Sequence, residues 1–190
     1  ADLAEVECGF VYDVTHLESV DSRGIDVALM SNPQRVMIVD AQLRQACTPI
    51  ATGIADASIE CPAGQHPLFS RPPLQVNLQV DGQEMTLFNN HFKSKRGGEV
   101  ETASRRVAQA NFVAGLVDGL LQADADANVM VLGDLNDYEL SPPLLRLTEN
   151  GRLSNALTQI PQAERYSFNF GGVSQLLDAI LLTPSLNKTI

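Results

Sequence analysis

Apolar and polar residues alternate over Phe10 to Thr15, as in a strand with one face in a core, and short apolar runs follow at Ile25 to Met30 and Val36 to Val39. The chain therefore opens with strands. Leu74 to Val80 and Met85 to Phe88 are two more, joined through Asp81-Gly82, residues that tolerate the positive φ of a two-residue hairpin. The period then changes. Ala103, Val107, Ala110, Ala114, Val117 and Leu121 recur at helical intervals, giving one apolar stripe over about five turns. Val129 to Leu132 is the next strand. Ser141-Pro142-Pro143 supplies the cap and first turn of a short helix, and Tyr166 to Phe170 and Gln175 to Thr183 are strands around Gly171-Gly172. Residues 41–71, with Pro49, Pro62 and Pro67, form a long connection.

Many strands and few helices, joined largely by hairpins, point to an α/β or α+β sandwich. At 190 residues, with 44% hydrophobic and 19% charged residues, the chain is one globular domain, 1–190, without internal repeats or a linker. No apolar stretch approaches the roughly 20 residues of a membrane span. The opening Ala1-Asp2-Leu3-Ala4-Glu5 is neither a signal peptide nor an initiator methionine, so a processed or excised piece is expected.

A net charge of −10 argues against tight nonspecific binding to a polyanion, whose affinity comes mainly from Lys and Arg. The basic residues are unevenly placed, however. Lys93, Lys95 and Arg96 directly follow His91, with Arg105 and Arg106 close behind, and such a rim on an acidic body can steer a phosphate substrate. Its bland alternative is a solvated loop and helix start. Cys47 and Cys61 flank a segment rich in Thr, Gly, Ala and Pro, with no Cys-x-x-Cys spacing anywhere. A disulfide closing that loop, and hence an exported protein, is the expectation, against two unrelated thiols. Cys8 is then unpaired, or its partner lies outside this chain.

Chemistry concentrates at strand ends. Val129 to Leu132 delivers Asp134 and Asn136 onto the turn that follows, where a carboxylate and an amide can converge on one ligand as base or metal ligand and as hydrogen-bond donor. The alternative is a turn using Asp and Asn for backbone bonding alone. His91 follows the run Met85 to Phe88, and Asp178 precedes another strand. His91 and Asp134 at strand exits and Asp178 at a strand entry would meet at one rim if the last strand is antiparallel to its neighbour.

Four segments in this order, Ser19 to Leu29 with R-G-I-D-V-A-L, Asn89 to Lys95 with N-N-H-F-K-S-K, Gly133 to Asn136 with G-D-L-N, and Leu177 to Leu181 with L-D-A-I-L, resemble the endonuclease/exonuclease/phosphatase family. That group of metal-dependent phosphodiesterases and phosphomonoesterases shares the pancreatic-deoxyribonuclease fold. The closest likeness is to secreted bacterial nuclease-like members, from about Gly9 to Thr183. The resemblance implies a four-layer α/β/β/α sandwich of two mixed sheets, incomplete here at both termini. It implies a nuclease-like phosphodiester hydrolase, secreted or in the cell envelope, acting on nucleic acid or another phosphate ester with Mg²⁺, Mn²⁺ or Ca²⁺. By likeness, Asp134 orients or deprotonates the attacking water, while Asn136 contacts a phosphoryl oxygen or helps Asp134 hold the metal. His91 donates to a nonbridging oxygen, with Glu18 the candidate to fix its tautomer. Asp178 corresponds to a carboxylate that orients another histidine, and Lys93 and Ser94 are candidate phosphate contacts. A sugar, inositol or lipid phosphatase and a noncatalytic binding member remain alternatives.

The departures matter as much. Family members carry an early asparagine, then a metal-binding glutamate, and end on a Ser-Asp-His or similar segment, and none of these has a counterpart here. Glu5 and Glu7 stand only 18 and 16 residues before Arg23, too close for the usual intervening helix, so residues 2–8 are expected to be that helix's end. No histidine follows Asp178. The catalytic set is therefore expected to be partial, and this chain alone to be inactive and a poor metal binder.

Overall fold

The computed structural model describes Gly9 and residues 11–188. The expectations placed on Glu5, Glu7, Cys8 and Phe10 lie outside the described residues.

The elements run β1 (Asp13–His16), β2 (Ala28–Ser31), β3 (Val36–Leu43), β4 (Cys47–Thr48), β5 (His66–Pro67), β6 (Leu74–Val80), β7 (Gln83–His91), α1 (Glu99–Ala123) and β8 (Val129–Asp134). Then come α2 (Pro142–Thr148), β9 (Ser154–Asn155), β10 (Phe168–Phe170), β11 (Val173–Gln175), β12 (Asp178–Leu182) and α3 (Pro184–Asn187). Six strands form one mixed sheet in the order β3-β6-β7-β8-β12-β9. Only β7 and β8 are parallel within it, because α1 carries the chain back between them; its other neighbours pair antiparallel.

Alternation along the strands assigns each face a layer. Phe88, Val129, Val131, Ala179 and Leu181 face α1 and α2, meeting Ala110, Val113, Ala114, Val117, Leu144 and Leu147 in one buried cluster. Leu74, Val76, Leu78 and Leu87 point the other way, with Met130 and Leu132, and are covered by Leu17, Val27 and Leu29 from the β1–β2 region. The architecture is thus α/β, helices on one face of a mixed sheet and a β layer on the other. Among the described residues the expected second sheet is represented by the β1–β2 ladder alone. Its outer side presents the register pair Val14 and Met30, each more than half exposed.

Local signals placed most elements, and the misses have reasons. β2 starts at Ala28 rather than Ile25, since Asp26 is used by the preceding loop: its Oδ1 accepts from Ser19 N. β3 continues to Leu43 through a register shift between Ile38 and Asp40, a bulge that hides the continuation from a strict two-residue period. β7 runs on to His91 because Asn89 and Asn90 take ladder positions beside Leu132 and Gly133. In α1 the buried stripe is Thr102, Arg105, Arg106, Gln109, Ala110, Val113, Ala114 and Val117. Ala103 and Val107 are only half-buried, because the first half of the buried face is polar and bonds loops near the sheet's end.

Cys47 and Cys61 are bonded, with Cα atoms 5.6 Å apart, and the long connection also forms the small β4–β5 ladder. Closing a loop of this length contributes about 3 kcal/mol in the chain-entropy account. No described helix is long and apolar enough to cross a membrane.

Candidate active site

β7 ends on His91, β8 ends on Asp134 and β12 begins on Asp178. The parallel register sets His91 beside Asp134, and the antiparallel register sets Asp178 opposite Asp134. Because side chains alternate with period two, His91 shares its face with Leu87, and Asp134 shares its face with Met130 and Leu132. All three groups therefore rise from one rim of the sheet on the side away from α1. His91 Nε2 stands 3.6 Å from Asp134 Oδ2.

The turn after β8 is tied on every side. Gly133 sits at φ 118°, and a Cβ there would lie 2.1 Å from Asn90 O, so neither the conformation nor the space admits a side chain. Asp134 Oδ1 accepts from Asn136 N at 2.8 Å, which leaves Oδ2 toward His91. The backbone-turn role and the outward-facing role thus coexist in one carboxylate. Asn136, at φ 53°, donates from Nδ2 to Phe92 O at 3.1 Å, leaving Oδ1 as an acceptor. Phe92 N donates to Asp134 O, and Leu135 N donates to Leu177 O, fastening the turn to both neighbouring strands.

Two arginines without an assigned role in the sequence reading shape the electrostatics. Arg71 is buried, lies 3.7 Å from Asp21 Oδ2, and its Nε has no hydrogen-bond partner. Arg23 holds Asp21 by two side-chain hydrogen bonds and draws that carboxyl down to about 2. Burial pushes the His91 imidazole down to about 4, and the positive fields of Arg71 and then Arg23 push the same way. His91 is therefore neutral at physiological pH, one nitrogen a donor and the other an acceptor. Asp134 is shifted the opposite way, raised first by burial and further by the Asp178 charge. The hydrogen bond from Asn136 N and the positive field of Arg71 only partly offset this rise.

Arg71 was missed because a single arginine among Ser70, Pro72 and Pro73 reads as loop. Its signal was the setting: Leu68-Phe69 before it and Leu74 after it are all core residues.

The other candidates are placed differently. Glu18 lies with His16 and Asp26, their ligand atoms within 4.8 Å of one another, and no hydrogen bond or ion pair joins it to His91. The expected pairing of Glu18 with His91 is not made, because the loop that carries Glu18 folds toward β1 and the Asp26 loop. Lys93 N donates to Gln109 Oε1, and Lys93 Nζ donates to Arg96 O, so its ammonium closes its own loop. Ser94, Lys95 and Arg96 line a cavity of about 700 Å³ together with Asp134, Asn136 and Asp178.

A buried clamp holds the two loops together. Arg106 donates from Nε to Asp137 Oδ2 at 2.8 Å, and its Nη atoms donate to Lys93 O, Glu99 O and Thr102 Oγ1. Lys95 adds a second cation to Asp137 at 3.2 Å and lies over the Tyr138 ring.

The charge arrangement gives a direct expectation in metal-free protein. His91 titrates near 4 by proton NMR, and Arg71→Met moves that midpoint upward, toward the ordinary 6.5. Since the folded His91 binds a proton less readily than the unfolded one, the unfolded state gains protons between about 6.5 and about 4. Stability from this group thus falls on acidification through that window. A midpoint near 6.5 in both proteins would show that Arg71 exerts no field on the imidazole.

Solved structures share this fold. Truncated Caenorhabditis elegans TDP2 aligns with a TM-score of 0.64 at 15% identity, over 96% of this chain and 64% of that one. The human Nocturnin catalytic domain with bound sulfate gives 0.59 at 15% identity, over 91% of this chain and 61% of that one. A mannosyl-6-phosphatase from Bacteroides thetaiotaomicron gives 0.58 at 16% identity, over 97% and 66%. The chain thus spans less than two thirds of the length of each of these three. No curated protein sequence matches it. The sequence profile of the Endonuclease/Exonuclease/phosphatase family matches residues 5–189, nearly the whole length, and the chain belongs to that family.

Proposed function

We propose that the site hydrolyses phosphate esters, foremost phosphodiesters of nucleic acid, by metal-assisted attack of water on phosphorus. The observation that carries this reading is the in-register row of His91, Asp134 and Asp178 on one rim of the sheet. Hydrolysis of a phosphate ester needs a positioned water, charge stabilisation at the phosphoryl oxygens and an orienting scaffold. Asp134, whose pKa burial raises, orients the water and accepts its proton. His91, held neutral, donates from an N–H to a nonbridging oxygen as charge builds there. Asp178 lies beside Asp134 and keeps the local field negative.

The donor set suits a hard cation. Asp134 Oδ2 and Asn136 Oδ1 are oxygen donors on one tight turn that would hold it, and a second carboxylate stands in the adjacent register. A bound magnesium or manganese ion, or calcium, supplies positive charge for the phosphoryl group and makes water more acidic. Lys95 and Arg96 extend a basic edge from this point along the cavity. The Cys47–Cys61 bond supports a protein that works in an oxidising compartment, exported or in the cell envelope.

A sugar-phosphate phosphatase is the second reading, favoured by the likeness to the mannosyl-6-phosphatase structure. One substrate panel tests both: single-stranded and duplex DNA, RNA and mannose 6-phosphate, each with magnesium, with manganese and with EDTA. The partial set of this chain alone is expected to be essentially inactive, and oligonucleotide cleavage that needs the divalent ion and stops on chelation is the expected result for the domain with a full catalytic set. Turnover of mannose 6-phosphate alone would favour the second reading, and no turnover of any ester would overturn both.

A further inference from the structure

Apart from the catalytic rim, the neck of the loop between β1 and β2 gathers three metal-ligating groups of mixed type. The β1–β2 ladder ends on the pair His16 and Ala28. Glu18 follows His16 by two residues and Asp26 precedes Ala28 by two, so alternation puts all three side chains on the ladder's outer side. Their ligand atoms lie within 4.8 Å of one another. His16 Nε2 already stands 3.2 Å from Asp26 Oδ2. Two ligands held at about 2.0–2.1 Å on a tetrahedral ion are about 3.3 Å apart, so this pair has the spacing of ligands sharing one metal.

The two carboxylates are prepared differently. The Asp26 side chain is only 10% exposed, and its Oδ1 accepts from Ser19 N at 2.9 Å, which turns Oδ2 toward the imidazole. Such outer support fixes the orientation of a metal-ligating carboxylate. Glu18 is exposed and makes no hydrogen bond or ion pair among the described residues, so its side chain can swing onto an ion without breaking a contact. One imidazole nitrogen with two carboxylates suits zinc, whereas magnesium prefers an all-oxygen shell that keeps several waters. The two negative charges balance a divalent ion, and three protein ligands leave one position for water.

We propose that His16, Glu18 and Asp26 form a second, noncatalytic site for a divalent transition ion of the zinc class, separate from the oxygen donors of the Asp134 turn. The ion clips the neck of residues 17–27, the loop that carries Asp21 and Arg23. A short run of contacts leads inward from it: Ser19, whose N bonds Asp26, accepts at Oγ from Asp21 N, and Asp21 lies against Arg23 and Arg71. A metal at the neck therefore steadies the carboxylate that both arginines face. It also gives Glu18 a role apart from His91.

The chain's three histidines, His16, His66 and His91, give a site-resolved readout that needs no turnover, so the test stands apart from the hydrolase reading. Zinc chloride is titrated into the full chain in saturating magnesium, with the imidazole resonances followed by NMR and the affinity by calorimetry. The His16 resonances are expected to move with the first equivalent, ahead of those of His66 and His91. His16→Ala and Glu18→Gln should each lower zinc affinity about tenfold or more, at least the loss seen when a merely supporting partner is removed. Glu18→Gln changes an exposed side chain without partners, so it keeps the fold. At a zinc concentration about a hundred times the parent Kd, the thermal midpoint of the parent should rise by about 5 °C or more, and that of Glu18→Gln by about half as much or less. Zinc that moves the His66 or His91 resonances and leaves His16 in place overturns the site. So does a Glu18→Gln variant that binds zinc as tightly as the parent. A parent that binds no zinc overturns it too, leaving His16 and Asp26 as a surface ion pair only.

Discussion

Asp134→Ala and His91→Ala each lower turnover at least about a hundredfold on whichever phosphate ester the protein cleaves, the scale of one lost acid/base or oxyanion contact. The two losses have different physical content. On the proposed mechanism the water in Asp134→Ala loses its proton acceptor, and the turn loses the oxygen that receives Asn136 N, leaving Asn136 held through its Nδ2 bond to Phe92 O. Asp134→Asn separates these effects, because an amide oxygen can still accept from Asn136 N but cannot take a proton. It should fold like the parent and remain about as slow as the alanine variant. In His91→Ala the turn is untouched and only the donor to the phosphoryl oxygen goes. Steady-state rates with saturating magnesium decide the matter. If both alanine variants keep near-parental rates on oligonucleotides and on small esters, the row of side chains at the sheet's end is not catalytic.

The loss should not add up when the two changes are combined. Groups that act on one transition state lose most of their effect when the first is removed, so the double variant should sit close to the slower single. Full additivity would mean that His91 and Asp134 act in separate steps, despite the 3.6 Å between them.

What could be read in the chain before its fold was known follows a physical division. Strand ends are local: an apolar run followed by Gly133-Asp134 announces where a strand stops, and alternation announces which face a side chain takes, so His91, Asp134 and Asp178 were legible as neighbours. Hydrogen-bond partners made over long separations were not. Arg106 looks in sequence like part of a solvated basic cluster, yet it is among the most buried side chains, because its partners Asp137 and Lys93 O come from loops beyond both ends of α1. The same polar face takes the place of the expected apolar stripe in the first half of the helix, while Ala110, Ala114 and Val117 are buried as expected. Arg71 was illegible for a related reason, since a proline-flanked arginine carries no period. The Tyr166 to Phe170 segment was seen as a strand, but nothing local reveals that its aromatics face the cleft rather than the core. Glu18 erred the other way: a family-like position suggested a partner for His91, and the loop's own bonding led elsewhere.

Replacing Arg106 with leucine should destabilise the protein by about 3 kcal/mol, near the lower end of the range for breaking a buried ion pair by removing one partner. The value lies there because Asp137 is not stranded entirely: Lys95 Nζ remains 3.2 Å from its Oδ1. Asp137 is also held below the usual carboxylate range, with the hydrogen bonds from Arg106 and then Lys95 overcoming the opposing effect of burial. The leucine variant therefore keeps a charged but less well held carboxylate in the interior. Replacing both residues with apolar side chains should cost less than the sum of the two single changes, because no unpaired charge is left behind. Urea denaturation of the two singles and the double at neutral pH measures this coupling, and singles that sum to the double within about 0.3 kcal/mol would show that the pair is not energetically linked. Activity supplies a second readout. Arg106 ties Lys93 O and Glu99 O to the loop bearing Asp137, so its loss loosens the basic edge relative to the Asp134 turn. The expected signature below the unfolding transition is a larger rise in KM for an oligonucleotide than for a small ester, since only the longer substrate spans both loops.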